Sequence, residues 1–340
     1  MAHRRDEPPM SGSEPPMSGS EPPQLLIIRP SNLFRAHQDG FSAKFNVLKA
    51  YESPLPTETF LREHAQSAKA ILCFKGSPIT GDLLRHLPSL GLVVTSGTGV
   101  NHIDLAACRR RGILVANTAD VFSVDTADYA VGLLIAVMRK ISSGDRFVRR
   151  RLWSLSHEEF PLGFKLRDKR VGIVGLGNIG SKVAKRLDAF GCKISYNSRS
   201  QKPRVPYNFC PTPHELASQS DILLICCPLT EDTRHMINND VMNALGEEGV
   251  IVNIGRGAII EEDALVKHLV ARRIAGAALD VFENEPRVPV ELFEMDNVVL
   301  SPHRGSYTKE GYFDAFRIVV ENLESFFLNK PLVSPVRIEE

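Results

Sequence analysis

The stretch VGIVGLGNIGSKVAKRL, residues 171–187, decides the fold. Its apolar run from Val171 to Val174 leads into Gly175, Gly177 and Gly180 at the spacing GxGxxG, and Ser181 to Leu187 continues with helical periodicity. Strand, glycine turn and helix start follow one another in the order that separates this motif from a chance match. The first glycine permits the tight turn, the second lets a pyrophosphate approach the backbone, and the third lets the helix pack on its strand. The helix N-terminus then faces the phosphates. A dinucleotide site is the expectation.

From Gln24 onward, short apolar runs alternate with helical patterns, which predicts an α/β fold built of βαβ units around parallel sheets. The alternation falls into two blocks, so two Rossmann-like, doubly wound domains are expected. In the first block the strand candidates are Leu25 to Arg29, Ala70 to Cys73, Leu92 to Thr95 and Ile113 to Val115. In the second they are Val171 to Val174, Lys193 to Tyr196, Ile222 to Cys226, Val250 to Ile254, Gly276 to Leu279 and Val298 to Leu300. A long apolar helix, Ser123 to Ile141, bridges the blocks, and Gly311 to Phe327 reads as a helix that crosses back to the first. The expected division is residues 24–117 with 305–340 as a substrate domain and residues 118–304 as an inserted dinucleotide-binding domain. Residues 1–23 differ in kind: EPPMSGS occurs twice, and this composition predicts a disordered tail.

Forty-one basic against forty acidic residues leave a formal charge of +1, which argues against nucleic acid or an acidic membrane as partner. The six cysteines are scattered without CxxC spacing, so free thiols in a reducing compartment are expected, and no metal site. Neither a secretory signal nor a peroxisomal ending is visible, which makes the cytoplasm the expected location.

Where NAD-specific sites carry an acidic residue about 20 positions past the first glycine, this chain has Asn197, followed by Ser198, Arg199, Ser200, Gln201 and Lys202. A carboxylate there repels a 2′-phosphate, whereas a guanidinium and a serine hydroxyl bind one. NADPH is therefore expected in preference to NADH, with NAD use still open.

Three polar residues, Arg256, Glu285 and His303, follow predicted strands of the second block, and loops after parallel strands meet at one sheet edge. Reduction of a 2-oxo acid needs a cation for the carboxylate, a proton donor beside the developing alkoxide, and a partner for that donor. Arginine, histidine and glutamate are suited to those roles. The other histidines, at positions 3, 37, 64, 86, 102, 157, 214, 235 and 268, read as surface or packing residues, with His102 set apart by its closeness to the Gly99 loop.

With these residues in place, the chain from Gln24 to Val336 resembles the D-2-hydroxyacid dehydrogenase family, and within it the plant-type glyoxylate/hydroxypyruvate reductases. The motifs that carry the resemblance are GLGNIG (175–180), CCPLTEDTRHMIN (226–238), NIGRGAIIEEDAL (253–265), ALDVFENEP (278–286) and NVVLSPH (297–303). The resemblance implies a flavodoxin-like substrate domain, a homodimer, and hydroxypyruvate and glyoxylate as substrates. It implies that Arg256 anchors the substrate carboxylate, that Glu285 pairs with His303, and that His303 is the acid in reduction. Backbone amides of the loops Lys75-Gly76-Ser77 and Thr98-Gly99-Val100 would hold the carboxylate. Asp280 would lie near the nicotinamide carboxamide, and Thr118, Asn178, Ile179, Cys227, Pro228, Ile254 and Gly305 would line the cofactor. Asn101 stands where the family often has aspartate. Related phosphoglycerate dehydrogenases often carry a further regulatory domain, and formate dehydrogenases carry glutamine at the place of Glu285. A protein that binds NAD(H) only to signal redox state to a partner is the competing expectation.

Overall fold

Five strands, β1 (Gln24–Ile27), β2 (Asn46–Lys49), β3 (Ala70–Cys73), β4 (Leu92–Thr95) and β5 (Leu114–Ala116), form a parallel sheet in the order β2-β1-β3-β4-β5. The order reverses between β1 and β3, as in flavodoxin-like folds. Seven more form a second parallel sheet: β6 (Arg170–Val174), β7 (Lys193–Asn197), β8 (Asn208–Phe209), β9 (Ile222–Ile225), β10 (Val250–Asn253), β11 (Gly276–Leu279) and β12 (Val298–Leu300). Their order, β12-β11-β10-β9-β6-β7-β8, is the Rossmann order with one strand added, and it reverses between β6 and β9. The computed structural model describes residues 21–154 and 160–337. The EPPMSGS repeats, His3 and His157 lie outside the described residues.

Alternation along the strands explains why both faces carry helices. Ile222 and Leu224 enter one apolar cluster while Leu223 and Ile225 enter another on the opposite face, as a side-chain period of two requires. Strands buried on both faces read as unbroken apolar runs, which is why β3, β4, β9 and β10 are visible in the sequence. The two strands not foreseen, β2 and β8, are sheet edges with partly exposed, polar-containing sequences.

The apolar helix Ser123–Met138 packs on β10, β11, β12 and the helix Asn178–Ala189. It ends three residues before the expected Ile141, because Lys140 takes a left-handed conformation (φ 55°) and a second helix, Ile141–Arg149, sets off in a new direction. The C-terminal helix Lys309–Phe327 buries Ala315, Val319 and Leu323 against Leu25, Leu92 and Val94 of the five-stranded sheet. Beyond it, Pro335 forms a β-bridge with Ala116, and Ser334 Oγ donates to the Asn117 carbonyl at 2.7 Å. No helix among the described residues is long and apolar enough to cross a membrane.

Candidate active site

The glycine turn sits at the switch point between β6 and β9. Gly175 has φ 94°, and a Cβ there would lie 2.7 Å from the backbone nitrogen of Cys227, so only glycine closes the turn against the end of β9. A Cβ at Gly180 would overlap the Gly175 carbonyl, whereas one at Gly177 would meet nothing within 4 Å. Gly177 thus faces open space at the start of the helix Asn178–Ala189, whose N-terminus no side chain caps. Uncapped amides beside an open, glycine-lined approach suit a pyrophosphate. Cys227 and Ile254 are buried along this wall, and Pro228 is exposed on the loop after β9.

At the end of β7, Asn197 is buried and its amide donates to the carbonyls of Cys210 and Pro211 at 2.9 and 3.0 Å. The side chain at the position of the missing acidic residue is therefore committed to holding the neighbouring loop. Ser198 Oγ donates to the Ser200 carbonyl at 2.7 Å, and Arg199, Ser200 and Lys202 are exposed. Neither Arg199 nor Lys202 pairs with a carboxylate among the described residues.

Arg256, Glu285 and His303 converge. They follow β10, β11 and β12, and the Arg256 loop reaches Glu285 because Gly257 packs backbone to backbone on Phe282 and Glu283. Glu285 accepts the Nδ1–H of His303, with Nδ1 at 3.0 Å from Oε2 and 3.2 Å from Oε1, which leaves Nε2 free. It also accepts from the Phe282 amide at 3.2 Å. Burial pushes the Glu285 carboxyl up, but the hydrogen bonds from His303 and Lys75 outweigh it and hold it at about 2. The group is a carboxylate at any working pH. Arg256 is half-buried; burial lowers its pKa and Glu285 opposes that, while its guanidinium lies against Gly99 of the other sheet.

His303 itself has φ 57°, a left-handed conformation that histidine adopts at a cost. Asp280 holds it there. The Asp280 carbonyl accepts from the His303 amide at 2.8 Å, and its carboxylate accepts from the amides of Arg304 and Gly305 at 2.7 and 2.9 Å and from Ser301 Oγ at 2.5 Å. At 2 % exposure, this carboxylate, expected beside the nicotinamide, is taken up by the turn that carries His303. An apolar cavity of about 270 Å³, lined in part by Phe282, Val288, Phe293 and Leu300, abuts Glu285 and His303.

The first sheet contributes across the cleft. Thr98 Oγ1 donates to the Ala119 carbonyl at 3.1 Å beside the fully buried Thr118, and the Gly76 loop is shaped by Phe74, whose ring fills the space a Cβ would need. Two further crossings, besides Arg256 against Gly99, were not legible in the sequence. Lys75 Nζ lies 2.6 Å from Glu285 Oε2, and Asn101 Nδ2 donates to the Leu229 carbonyl at 3.1 Å. The sequence singled out both Lys75 and Glu285, but nothing in it joins residues 210 positions apart.

His102 bonds Thr95 Oγ1 through Nε2 at 3.1 Å, and burial, reinforced by Arg256 and Lys75, holds its pKa at about 4. A histidine with a lower pKa folded than unfolded contributes stability above its ordinary value of 6.5, and that contribution is lost as pH falls from 6.5 towards 4. The melting midpoint is therefore expected to drop between pH 7 and pH 5, with a shallower drop in His102→Gln; parallel curves would contradict this.

A glycine turn at the switch point of a Rossmann sheet, with a histidine–carboxylate pair and a half-buried arginine on the loops after other strands of that sheet, defines a dinucleotide-dependent oxidoreductase. Residues 131–305 match the profile of the D-isomer specific 2-hydroxyacid dehydrogenase, NAD binding domain. The chain is 52% identical over 281 residues to glyoxylate/hydroxypyruvate reductase HPR3 of Arabidopsis thaliana, covering 83% of this chain and 87% of that protein. It is 46% identical over 293 residues to glyoxylate/hydroxypyruvate reductase A HPR2 of the same plant, covering 86% and 93%. The NADPH-dependent glyoxylate/hydroxypyruvate reductase of Sinorhizobium meliloti, solved with NADP and malonate, superposes with a TM-score of 0.86 at 33% identity, covering 93% of this chain and 97% of that one. The chain belongs to the D-isomer specific 2-hydroxyacid dehydrogenase family.

Proposed function

We propose that the protein is an NADPH-preferring reductase of hydroxypyruvate and glyoxylate, giving D-glycerate and glycolate. The observation that carries this reading is the convergence of Arg256, Glu285 and His303 at the cleft opposite the Lys75 and Gly99 loops. The substrate carboxylate binds Arg256 and the backbone amides of Lys75, Gly76, Thr98 and Gly99, which places the C2 carbonyl oxygen at His303 Nε2. The bound nicotinamide cofactor supplies the hydride. His303 donates the proton to the C2 oxygen, and Glu285, fixed as a carboxylate, orients the ring and balances the imidazolium before the proton leaves. Arg256 is charged throughout and needs no proton exchange.

Support for NADPH comes from the exposed Arg199 and Lys202 of the loop after β7, neither of them paired with a carboxylate among the described residues, so that a 2′-phosphate there would meet two cations. Arg199→Ala combined with Lys202→Ala is expected to raise KM for NADPH at least tenfold and to leave KM for NADH within about twofold. Equal changes for both cofactors would remove the preference from this loop. A substrate panel with each cofactor tests the activity itself, and wild-type protein that oxidises NADPH with neither hydroxypyruvate nor glyoxylate would overturn the reading.

The reading includes a division into a substrate domain, residues 24–117 with 305–340, and a cofactor domain, residues 118–304. It includes a homodimer, supported by the exposed apolar residues Ile141, Val148, Leu152, Trp153 and Leu162. Free cysteines fit a reducing compartment such as the cytoplasm.

A further inference from the structure

We propose that the Lys75 side chain is a positioning residue for the proton donor, locking the Glu285–His303 pair from across the cleft. The inference rests on the reductase reading above and goes beyond the backbone role given there to the Lys75 loop. Lys75 follows β3, whereas Glu285 and His303 follow β11 and β12, so the ammonium joins the two sheets at the carboxylate that orients the donor. The loop that presents it is fixed: Phe74 and Ser77 form a β-bridge, and the Ser77 amide donates to the Phe74 carbonyl at 2.8 Å.

Glu285 Oε2 carries both contacts, Lys75 Nζ at 2.6 Å and His303 Nδ1 at 3.0 Å, and Oε1 takes the Phe282 amide. The carboxylate is thereby pinned on three sides. Without Lys75 it keeps, besides His303 itself, the Phe282 amide alone, so the carboxylate can turn about that single main-chain donor and the imidazole can turn with it. Stability alone does not account for the contact, since the lysine is 56% exposed and its charge is screened by water. Charge for the substrate carboxylate does not require it either, because Arg256 supplies that. What remains is geometry: His303 Nε2 meets the substrate oxygen in a fixed direction only while Lys75 and Glu285 are joined.

The test is steady-state kinetics on Lys75→Met, Lys75→Arg, Glu285→Gln and the double variant Lys75→Met with Glu285→Gln. The expected result is a kcat at least tenfold lower in Lys75→Met, to the same extent with glyoxylate and hydroxypyruvate. KM should stay within about threefold, because the backbone amides of the loop remain. Lys75→Arg should recover most of the loss, and Lys75→Met should cost nothing further in the Glu285→Gln background. A loss confined to KM, a loss that depends on the substrate, or full additivity with Glu285→Gln would overturn the inference. A readout independent of turnover is the His303 Nδ1 resonance in protein labelled with ¹⁵N-histidine. It should move in Lys75→Met and return in Lys75→Arg; an unmoved resonance overturns the positioning role, while failure of the reductase reading appears separately as absent turnover in the wild type.

Discussion

Replacing His303 with asparagine is expected to lower kcat for reduction by a factor of about 10²–10⁴, the usual contribution of a positioned proton donor. Asparagine is the informative substitution because position 303 has φ 57°, and asparagine tolerates the left-handed region better than most side chains. The turn held by Asp280 should survive, with its amide contacts to residues 303–305 intact. Cofactor binding, followed by nicotinamide fluorescence, should stay within about threefold, and the melting midpoint within a few degrees. A variant that keeps wild-type kcat would remove His303 from the chemistry. One that loses cofactor binding along with turnover would show that the residue matters to the fold of the loop instead.

The second large effect is expected at Gly257. A methyl group there would overlap the main chain of Phe282 and Glu283, and backbone cannot swing aside as a side chain can. Gly257→Ala should therefore cost about 3 kcal/mol, the upper end for overpacking, and lower the melting midpoint by several degrees. Activity should fall further than stability suggests. The same contact brings the Arg256 loop onto the Glu285 loop, and a displacement of about 1 Å in such a constellation costs on the order of 10²-fold in rate. Gly132→Ala is the control: it lies in the helix Ser123–Met138 with nothing within 4 Å of the added Cβ, and should be neutral or slightly stabilising. Equal behaviour of the two alanine variants would refute the argument.

Much of the fold was legible because its strands are buried on both faces. Ile222–Ile225 and Val250–Asn253 are apolar at every position except the terminal Asn253, so their sequence announces them without any knowledge of neighbours. The edge strands Asn46–Lys49 and Asn208–Phe209 are short and partly polar, and only pairing to a neighbour makes them strands. The break at Lys140 was hidden for a related reason: apolar periodicity continues towards Ile141, and the left-handed residue that ends the helix carries no glycine or proline signal.

The candidate site divides in the same way. Arg256, Glu285 and His303 could be named from their places after successive strands, and their convergence at one sheet edge follows from parallel topology. Asp280 and Asn197 illustrate the limit. The resemblance places Asp280 near the nicotinamide and spacing places Asn197 at the cofactor's ribose, but neither tells that the carboxylate of the first also accepts from the amides of Arg304 and Gly305, or that the amide of the second donates to the carbonyls of Cys210 and Pro211. Which polar groups a loop uses for its own backbone depends on where the next turn lies in space.

From the sequence alone came the dinucleotide turn at residues 171–187, the parallel α/β architecture and the identity of the polar residues at the strand ends, because these depend on local periodicity, glycine spacing and chain order. Tertiary structure alone decided the contacts across the cleft: Lys75 on Glu285, Asn101 on the Leu229 carbonyl and the Arg256 guanidinium against Gly99. Those pairings join residues 128 to 210 positions apart, and their distances depend on how two separately formed sheets come to face each other, a relation that no local pattern encodes.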